Sequence, residues 1–312
     1  MTARANSGSG ASSGSRASSG SRLPPWLRVD LPSGGNWRRV SSMLERRALA
    51  TVCDSARCPN KAECWGAATA TFMVLGSVCT RGCRFCAVSH GKEGEPPRLE
   101  EPEELASAVA ELGLSYAVVT SVDRDDLPDR GAAHIAACAR AIKALGPGVR
   151  VELLVPDFRD GEIETVLDAL PDVLAHNVEV VERLQGLRDA RASYRASLRT
   201  LSLAAERSRE RGGSPVVKSS LMLGLGEERD EILKVLDDLR AAGCSSLVLG
   251  QYLRPSALQA EVARYLLPEE FDQLAEEARS KGFASVVSAP LARTSFHARA
   301  GFESAHDKPA GL

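Results

Sequence analysis

The chain has 312 residues, with 39 lysines and arginines against 41 aspartates and glutamates and a formal net charge of −2. A balance this close excludes a dedicated nucleic-acid binder, which carries a basic excess on one face, and a 4% aromatic share excludes stacking platforms for single strands. The longest uncharged stretch, 64–80, holds threonine, serine, glycine and two cysteines, and is too short and too polar for a membrane span.

Residues 1–23 form a Ser/Gly-rich run that cannot bury enough surface to offset the entropy of ordering, so a disordered tail is predicted there. Four arginines and no acid precede Asp30. That bias also occurs in organelle targeting peptides, but a Gly-rich run forms no amphipathic face, so a cytoplasmic protein with a plain extension is expected. Pro24, Pro25 and Trp26 mark the start of ordered chain, and residues 24–70 are read as an N-terminal lobe carrying Cys53, Cys58 and Cys64.

From Thr71 onward, β-branched runs alternate with helical patterns. The runs are 71–75, 116–120, 149–155, 173–179, 216–221, 246–250 and 284–287. Between them, 103–112, 132–145, 193–211, 230–242 and 268–280 are rich in Ala, Leu, Glu and Arg, with apolar residues at helical spacing. Repeated β-α units with right-handed crossovers build a parallel sheet. The expected fold class is therefore α/β, a partial (β/α) barrel of TIM type with about six parallel strands over 71–298. A short C-terminal tail, 299–312, is expected to follow. No glycine fingerprint of a dinucleotide fold follows the first run, and in a barrel the chemistry belongs at the carboxyl ends of the strands.

Eight cysteines stand at 53, 58, 64, 79, 83, 86, 138 and 244, six of them bunched between 53 and 86. Disulfide frameworks belong to small secreted chains, and this one is large with no apolar signal core, so metal binding in a reducing compartment is the better reading. Cys79-Thr-Arg-Gly-Cys83-Arg-Phe-Cys86 directly follows the first run as CX3CX2C. Three thiolates on one tight loop hold three irons of a cubane cluster and leave the fourth iron open. The competing reading is a structural zinc loop, which needs four ligands and favours CX2C pairs. Phe85 offers an apolar wall beside the cluster. The upstream triplet, CX4CX5C, also lacks a fourth ligand. Cys138, Cys244, a hydroxyl or a small molecule are the candidates, although Cys138 mid-helix and Cys244 before a strand both read as small buried hydrophobes.

Several polar residues fall at the ends of runs. Ser121 and Asp123 are placed to hydrogen-bond a cofactor or substrate. Asp125 and Asp126 do either that or cap the next helix. Asn177 and Glu179 close the fourth run, where an asparagine also commonly satisfies backbone groups. Lys218 and Glu227 flank the fifth run. His90, His134 and His297 have no metal-site spacing and are expected to be solvated or capping.

The CX3CX2C loop on a β/α barrel resembles the radical S-adenosylmethionine enzymes. Its pairing with CX4CX5C is similar to the lipoyl synthase family over about 26–298. The blocks that carry the resemblance are Cys53-Asp-Ser-Ala-Arg-Cys58-Pro-Asn, Thr120-Ser-Val-Asp-Arg-Asp-Asp-Leu127, His176-Asn-Val-Glu179, Leu221-Met-Leu-Gly-Leu-Gly-Glu227, Gln251-Tyr-Leu-Arg-Pro255 and Arg293-Thr-Ser-Phe-His-Ala298. The resemblance implies a sulfurtransferase with two [4Fe-4S] clusters. One, on Cys79, Cys83 and Cys86, binds S-adenosylmethionine and cleaves it to a 5′-deoxyadenosyl radical. The other, on Cys53, Cys58, Cys64 and Ser295, is auxiliary and sacrificial. Two sulfur atoms then enter at C6 and C8 of a protein-bound octanoyl chain.

By the same resemblance Phe85, Ser121, Asp123, Asn177, Glu179 and Lys218 contact cofactor or substrate. Arg293 either stabilises charge at the auxiliary cluster or pairs with a carboxylate. A serine alkoxide is a hard ligand on an otherwise soft iron and is lost on protonation, which suits a cluster that is taken apart. Thr294 and Phe296 stand for the family's usual Ser and Tyr, and Ser220 for a common Gly. Implied partners are an octanoylated lipoyl domain or glycine-cleavage H-type carrier, an electron donor such as ferredoxin or flavodoxin, and an iron-sulfur carrier for cluster reassembly. Neither nucleic acid nor membrane is among them. The rivals are a methylthiotransferase-like sulfur inserter, which normally appends an RNA-binding β-barrel after the catalytic domain, and a zinc-stabilised binding protein.

Overall fold

A computed structural model of the chain describes residues 23–29, 35–296 and 298–306, so the predicted tail up to 22, His297 and the residues after 306 lie outside the described residues. Helix α1 (Gly35–Arg46) buries Val40, Met43 and Leu44 at helical spacing. Strand β1 (Ala50–Thr51), helix α2 (Val52–Ser55) and helix α3 (Lys61–Gly66) follow. β1 pairs antiparallel with β2 (Thr71–Val74), setting Ala50 against Met73 and Thr51 against Phe72. The cysteine-rich lobe is thus stitched to the sheet edge instead of standing apart from it.

Strands and helices then alternate in strict order: α4 (Glu101–Leu112), β3 (Tyr116–Ser121), α5 (Ala132–Lys143), β4 (Arg150–Leu154), α6 (Asp160–Leu167) and β5 (Val173–Ala175). They continue as α7 (Tyr194–Glu210), β6 (Val216–Leu223), α8 (Arg229–Ala241), β7 (Ser246–Gln251), α9 (Pro268–Ser280) and β8 (Ser285–Ala289). The sheet runs β1 to β8 in sequence order, and every pair from β2 to β8 is parallel. All seven β-branched runs become parallel strands, one more than the half-dozen expected, and the run through Glu179 stops at Ala175.

All four positions of β2 and all six of β7 are buried, because one face points into the barrel and the other against helices. α5 covers its side with Ile135, Cys138, Ala139 and Ile142, and α8 with Ile232, Val235, Leu236 and Leu239. Each large aliphatic side chain so buried contributes about 1.5–3 kcal/mol. Cys138 and Cys244 are fully buried in this packing, as small hydrophobes.

Among the described residues β8 pairs only with β7, so the barrel stays open between its first and last strands. The chain after β8 runs along this seam. Gly250 makes that possible, since a Cβ there would lie 2.1 Å from Ala292 O. The residues expected to be a tail from 299 instead continue helix α10 (Ala298–His306), which sets Gly301 against Ser285 and Val287 of β8 and stacks Phe302 on Tyr116 of β3 with centroids 5.8 Å apart.

Candidate functional site

The CX3CX2C loop leaves the carboxyl end of β2 and is tied down on several sides. Cys79 N donates to Ser89 O at 2.8 Å and Gly91 N to Cys79 O at 3.0 Å, closing the loop on itself. Thr80 N reaches Asp123 O at 2.8 Å, Arg84 N reaches Leu187 O at 2.7 Å, and Ala260 N reaches Arg84 O at 2.8 Å. Loops following β3, β5 and β7 therefore hold the three cysteines in place. Backbone amides also point at sulfur: Arg81 N lies 3.4 Å from Cys79 Sγ and Asp189 N 3.3 Å from Cys83 Sγ. Such bonds favour the thiolate and tune the potential of a cluster bound there.

The three cysteines open onto a cavity of about 240 Å³ whose wall includes Phe85, Ser121, Asp123, Asn177 and Glu179. Lys218 is not brought to it. As the third residue of an eight-residue strand it faces the barrel floor, where Nζ lies 2.8 and 3.1 Å from the two carboxylate oxygens of Glu152 and Tyr116 OH donates to Glu152 at 2.6 Å. A buried ammonium so engaged neutralises Glu152 and has no reach toward the mouth.

Charge around the cavity is strongly organised. Arg81, 6% exposed, bonds both oxygens of Asp125 at 2.8 Å, meets Asp157, and sits 3.3 Å from Asp123. Asp126 pairs with Arg124 at 2.8 Å. The aspartates read as possible caps are thus ion-pair partners. Asp129 does the capping of α5, accepting from Gly131 N at 3.0 Å and Ala133 N at 2.9 Å. Burial pushes the Asp123 carboxyl up to about 6, with Arg81 opposing the rise, and burial also raises Glu179. Glu179 holds a left-handed backbone at φ +67°, a conformation that costs a non-glycine residue about 1 kcal/mol or more. Asn177 hydrogen-bonds its side chain, and Thr294 Oγ1 lies 3.2 Å from Asn177 Oδ1 and 3.0 Å from Ser220 Oγ. Two departures from the family pattern, Thr294 and Ser220, therefore contact each other.

Arg188 also lines this cavity, nearly buried, with Ser197 Oγ at 2.8 Å and Gln185 Oε1 at 3.3 Å. No carboxylate among the described residues pairs with it. Ser121 Oγ and His176 Nε2 are buried on the same wall without partners. An unpaired cation and two unsatisfied polar atoms around a cavity fit a polar ligand that carries an anionic group.

At the second triplet, Thr51 Oγ1 caps α2 by accepting from Asp54 N at 3.3 Å, Cys58 N bonds Cys53 O at 3.0 Å, and Cys64 N bonds Asn60 O at 2.9 Å. The sulfurs feel one another: charge on Cys53 raises both Cys58 and Cys64. Asn60, 2% exposed, donates from Nδ2 to Leu291 O at 2.7 Å and so fastens residues 291–296 to the triplet. Arg293 then comes near Cys58. Burial pushes its guanidinium below the ordinary value while charge on Cys58 opposes that, and among the described residues no carboxylate pairs with it. Ser295 and Cys64 line a second cavity, about 550 Å³, at the seam. Ser295 therefore shares a cavity wall with Cys64, whereas Cys138 and Cys244 are not part of it.

The donor sets suit iron-sulfur clusters better than zinc. Burial pushes the Cys79 and Cys64 thiols up to about 12 and Cys83 to about 11, so a metal's charge must replace the proton. Four thiolates on one zinc at about 2.3 Å would bring sulfurs within roughly 4 Å of one another. Neither triplet converges within 4.8 Å. Among the described residues only Glu101, His134 and Cys138 do so. There His134 Nε2 lies 2.6 Å from Glu101 Oε2, which also accepts from Leu75 N at 3.0 Å, so His134 is a partly buried strut under the end of β2 and not a fully solvated side chain.

Comparison with known proteins matches the radical SAM superfamily over residues 73–239 and the N-terminal domain of lipoyl synthase of the radical SAM family over 9–58. Lipoyl synthase of Pyrobaculum arsenaticum is 52% identical over 91% of this chain and 96% of its own length. That of Methylococcus capsulatus is 53% identical over 88% and 85%, and the mitochondrial lipoyl synthase of Leishmania braziliensis 47% over 88% and 76%. The chain belongs to the lipoyl synthase family. Membership in it makes the chain a sulfur-inserting radical SAM enzyme that uses S-adenosylmethionine and [4Fe-4S] clusters. Solved structures share the barrel: methylornithine synthase PylB at 11% identity (TM-score 0.54, 69% of this chain and 63% of that one) and the hydrogenase maturase HydG at 14% (0.55, 69% and 49%).

Arg81, Asp157, His176 and Arg188 line the first cavity of this lipoyl synthase family member without having been singled out from sequence. For His176 the His-Asn-Val-Glu block was a signal. For Arg188 none existed, because its lack of a carboxylate partner is visible only in the structure, and for Arg81 the three aspartates it meets are far from it in sequence.

Proposed function

We propose that Cys79, Cys83 and Cys86 hold the S-adenosylmethionine-binding cluster, that Cys53, Cys58, Cys64 and Ser295 hold the auxiliary one, and that sulfur is inserted at C6 and C8 of a protein-bound octanoyl chain. The observation that supports this reading is that Ser295 and Cys64 share one cavity wall at the seam, beside a first triplet that lines its own polar cavity. When bound, the cofactor and clusters supply the hydrogen-abstracting radical and the sulfur.

The chain's own residues bind and orient. Arg188 supplies the cation for the cofactor's carboxylate, and Asp123 and Glu179 supply acceptors for its amino group. His176 Nδ1 donates to Val155 O at 2.9 Å, which leaves Nε2 as an acceptor facing the cavity, and burial holds the ring down at about 4, so it stays neutral. Ser121 Oγ offers a further hydrogen bond, and Phe85 an apolar wall. Thr294 links the Ser295 segment to Asn177 and thereby to Glu179, so the two sites are mechanically joined. Arg293 offsets negative charge on the second triplet.

The substrate reaches the mouth on a lysine of a lipoyl domain or H-type carrier, and a ferredoxin- or flavodoxin-type donor supplies electrons. An iron-sulfur carrier restores the auxiliary cluster, and the protein works in the cytoplasm. Among the described residues no helix is long and apolar enough to cross a membrane. The test is anaerobic purification followed by iron, acid-labile sulfide and zinc analysis, then incubation with octanoylated lipoyl domain. About eight irons and eight sulfides per chain and a lipoylated product are expected. Bound zinc without sulfide, or a methylthiolated RNA product, would defeat the reading.

A further inference from the structure

The two cavities are distinct: no residue lines both. The second triplet stands between them. Val52, next to Cys53, lines the first cavity, whereas Cys64 and Ser295 line the second. We infer that the second cavity is the route by which iron and sulfide reach the Cys53, Cys58 and Cys64 site, apart from the mouth that admits cofactor and substrate. The inference rests on the proposed function, in which that site loses sulfur to product and has to be refilled.

The construction of the cavity supports passage of small hydrated ions. Around Cys64 its wall is made of small side chains, Ala67, Ala68 and Ala70, with Ala298 and Ala300 from α10. Its volume, about 550 Å³, compares with about 30 Å³ for one water molecule in the liquid, so a hydrated ferrous ion or sulfide fits with room to move. Glu63 lines the same wall beside Cys64 and makes it polar. The rim is soft. Arg299 bonds Ser115 Oγ at 2.8 Å and Glu303 at 2.7 Å, and the Arg299 and Glu303 side chains are 61% and 54% exposed, so their ion pair is weak. A carrier-bound product lodged in the first cavity leaves this second path clear.

The test blocks the second cavity with bulk at exposed wall positions, using Ala67→Trp and Ala300→Trp separately. Full-length protein is stripped of metal anaerobically and supplied with ferrous iron and sulfide, and the rates of iron and acid-labile sulfide uptake are followed. The same is done in a Cys79/Cys83/Cys86→Ala background, where only the second site fills, and in a Cys53/Cys58/Cys64→Ala background, where only the first fills. Each tryptophan is expected to slow the second site several-fold, leaving the first site's rate and the final contents unchanged. In stripped protein, alkylation of Cys64 by iodoacetamide, read by peptide mass spectrometry, should slow likewise. Unchanged uptake and alkylation in both variants would overturn the route while leaving the proposed function standing. If the second site takes up no iron even in the unsubstituted protein, the functional reading fails and the inference with it.

Discussion

Cys79, Cys83 and Cys86 lie on one loop that neighbouring loops pin in place, whereas the segment of Cys53, Cys58 and Cys64 is tied through Asn60 to Leu291 O, a bond that spans 231 residues in sequence. The first site is a local motif that the scaffold steadies with amides aimed at sulfur. In the proposed function the second is complete only when the barrel's seam is closed by chain from both sides. The first is also surrounded by paired and unpaired charge, Arg81, Asp123, Glu179 and Arg188, while the second has Arg293 near Cys58. In the proposed function, a site that binds and cleaves a charged cofactor repeatedly is thus built rigid and polar, and a site meant to be dismantled is built with a removable corner.

The strongest way to break this contrast is to delete one site and watch the other. Cys79→Ala, Cys83→Ala or Cys86→Ala is expected to abolish 5′-deoxyadenosine formation while the second site keeps its iron. Wild-type production of 5′-deoxyadenosine by any of them would show that the loop is not the cofactor site. The reverse deletions, Cys53→Ala, Cys58→Ala or Cys64→Ala, should leave 5′-deoxyadenosine forming with no lipoyl product. Mass spectrometry of the carrier checks this, and sulfur transfer in a Cys58→Ala protein would require another sulfur source.

Ser295 sharpens the idea of a removable corner. Ser295→Ala and Ser295→Cys are both expected to slow sulfur insertion by roughly 10–100-fold, the second with its full iron retained because a soft thiolate holds iron too well. A Ser295→Cys enzyme as fast as wild type would remove lability from the account. Arg188→Gln tests the polarity of the first site. Losing a charge-assisted hydrogen bond there should raise the S-adenosylmethionine concentration for half-maximal cleavage by roughly 10–100-fold, with iron content unchanged. An unaltered concentration dependence would assign Arg188 to structure alone.

The smallest effect concerns His176 and acid. Its pKa falls from an ordinary 6.5 to about 4 because burial penalises the charged ring, so the unfolded chain binds more protons than the folded one between those values. Stability contributed by the neutral ring is complete above about 6.5 and is lost as pH falls toward 4, by an amount of order 3 kcal/mol. Urea unfolding of metal-free protein at pH 7 and pH 5 should show a weaker acid loss in His176→Gln. An identical slope would mean that other groups set it.

Much of the fold was legible because its period is short. β-branched runs and amphipathic segments announce themselves within a dozen residues, and the cysteine spacings within eight to twelve. Helix α6 was not read, being short, nor α1 and α10, which sit outside the β-α repeat and gain their stability by packing on it. Lys218 shows the limit for site residues. Its position on a strand put it inside the barrel, but only the structure shows Glu152 beneath it. Asp125 and Asp126 likewise look like caps until Arg81 arrives from another part of the chain and the neighbouring Arg124 folds back onto Asp126.

The Asn60–Leu291 bond also sets an order of events during synthesis. The first cysteine loop is chemically complete once residue 86 has emerged from the ribosome. The roughly 200 residues from there to Ser295 take about ten to forty seconds more to translate. Until then Ser295 does not exist, and the second triplet has neither its serine nor its arginine. With Ser295 as the proposed fourth ligand, expendable sulfur is loaded with its full ligand set only onto a chain whose barrel has been closed, and a prematurely terminated product is barred from storing it.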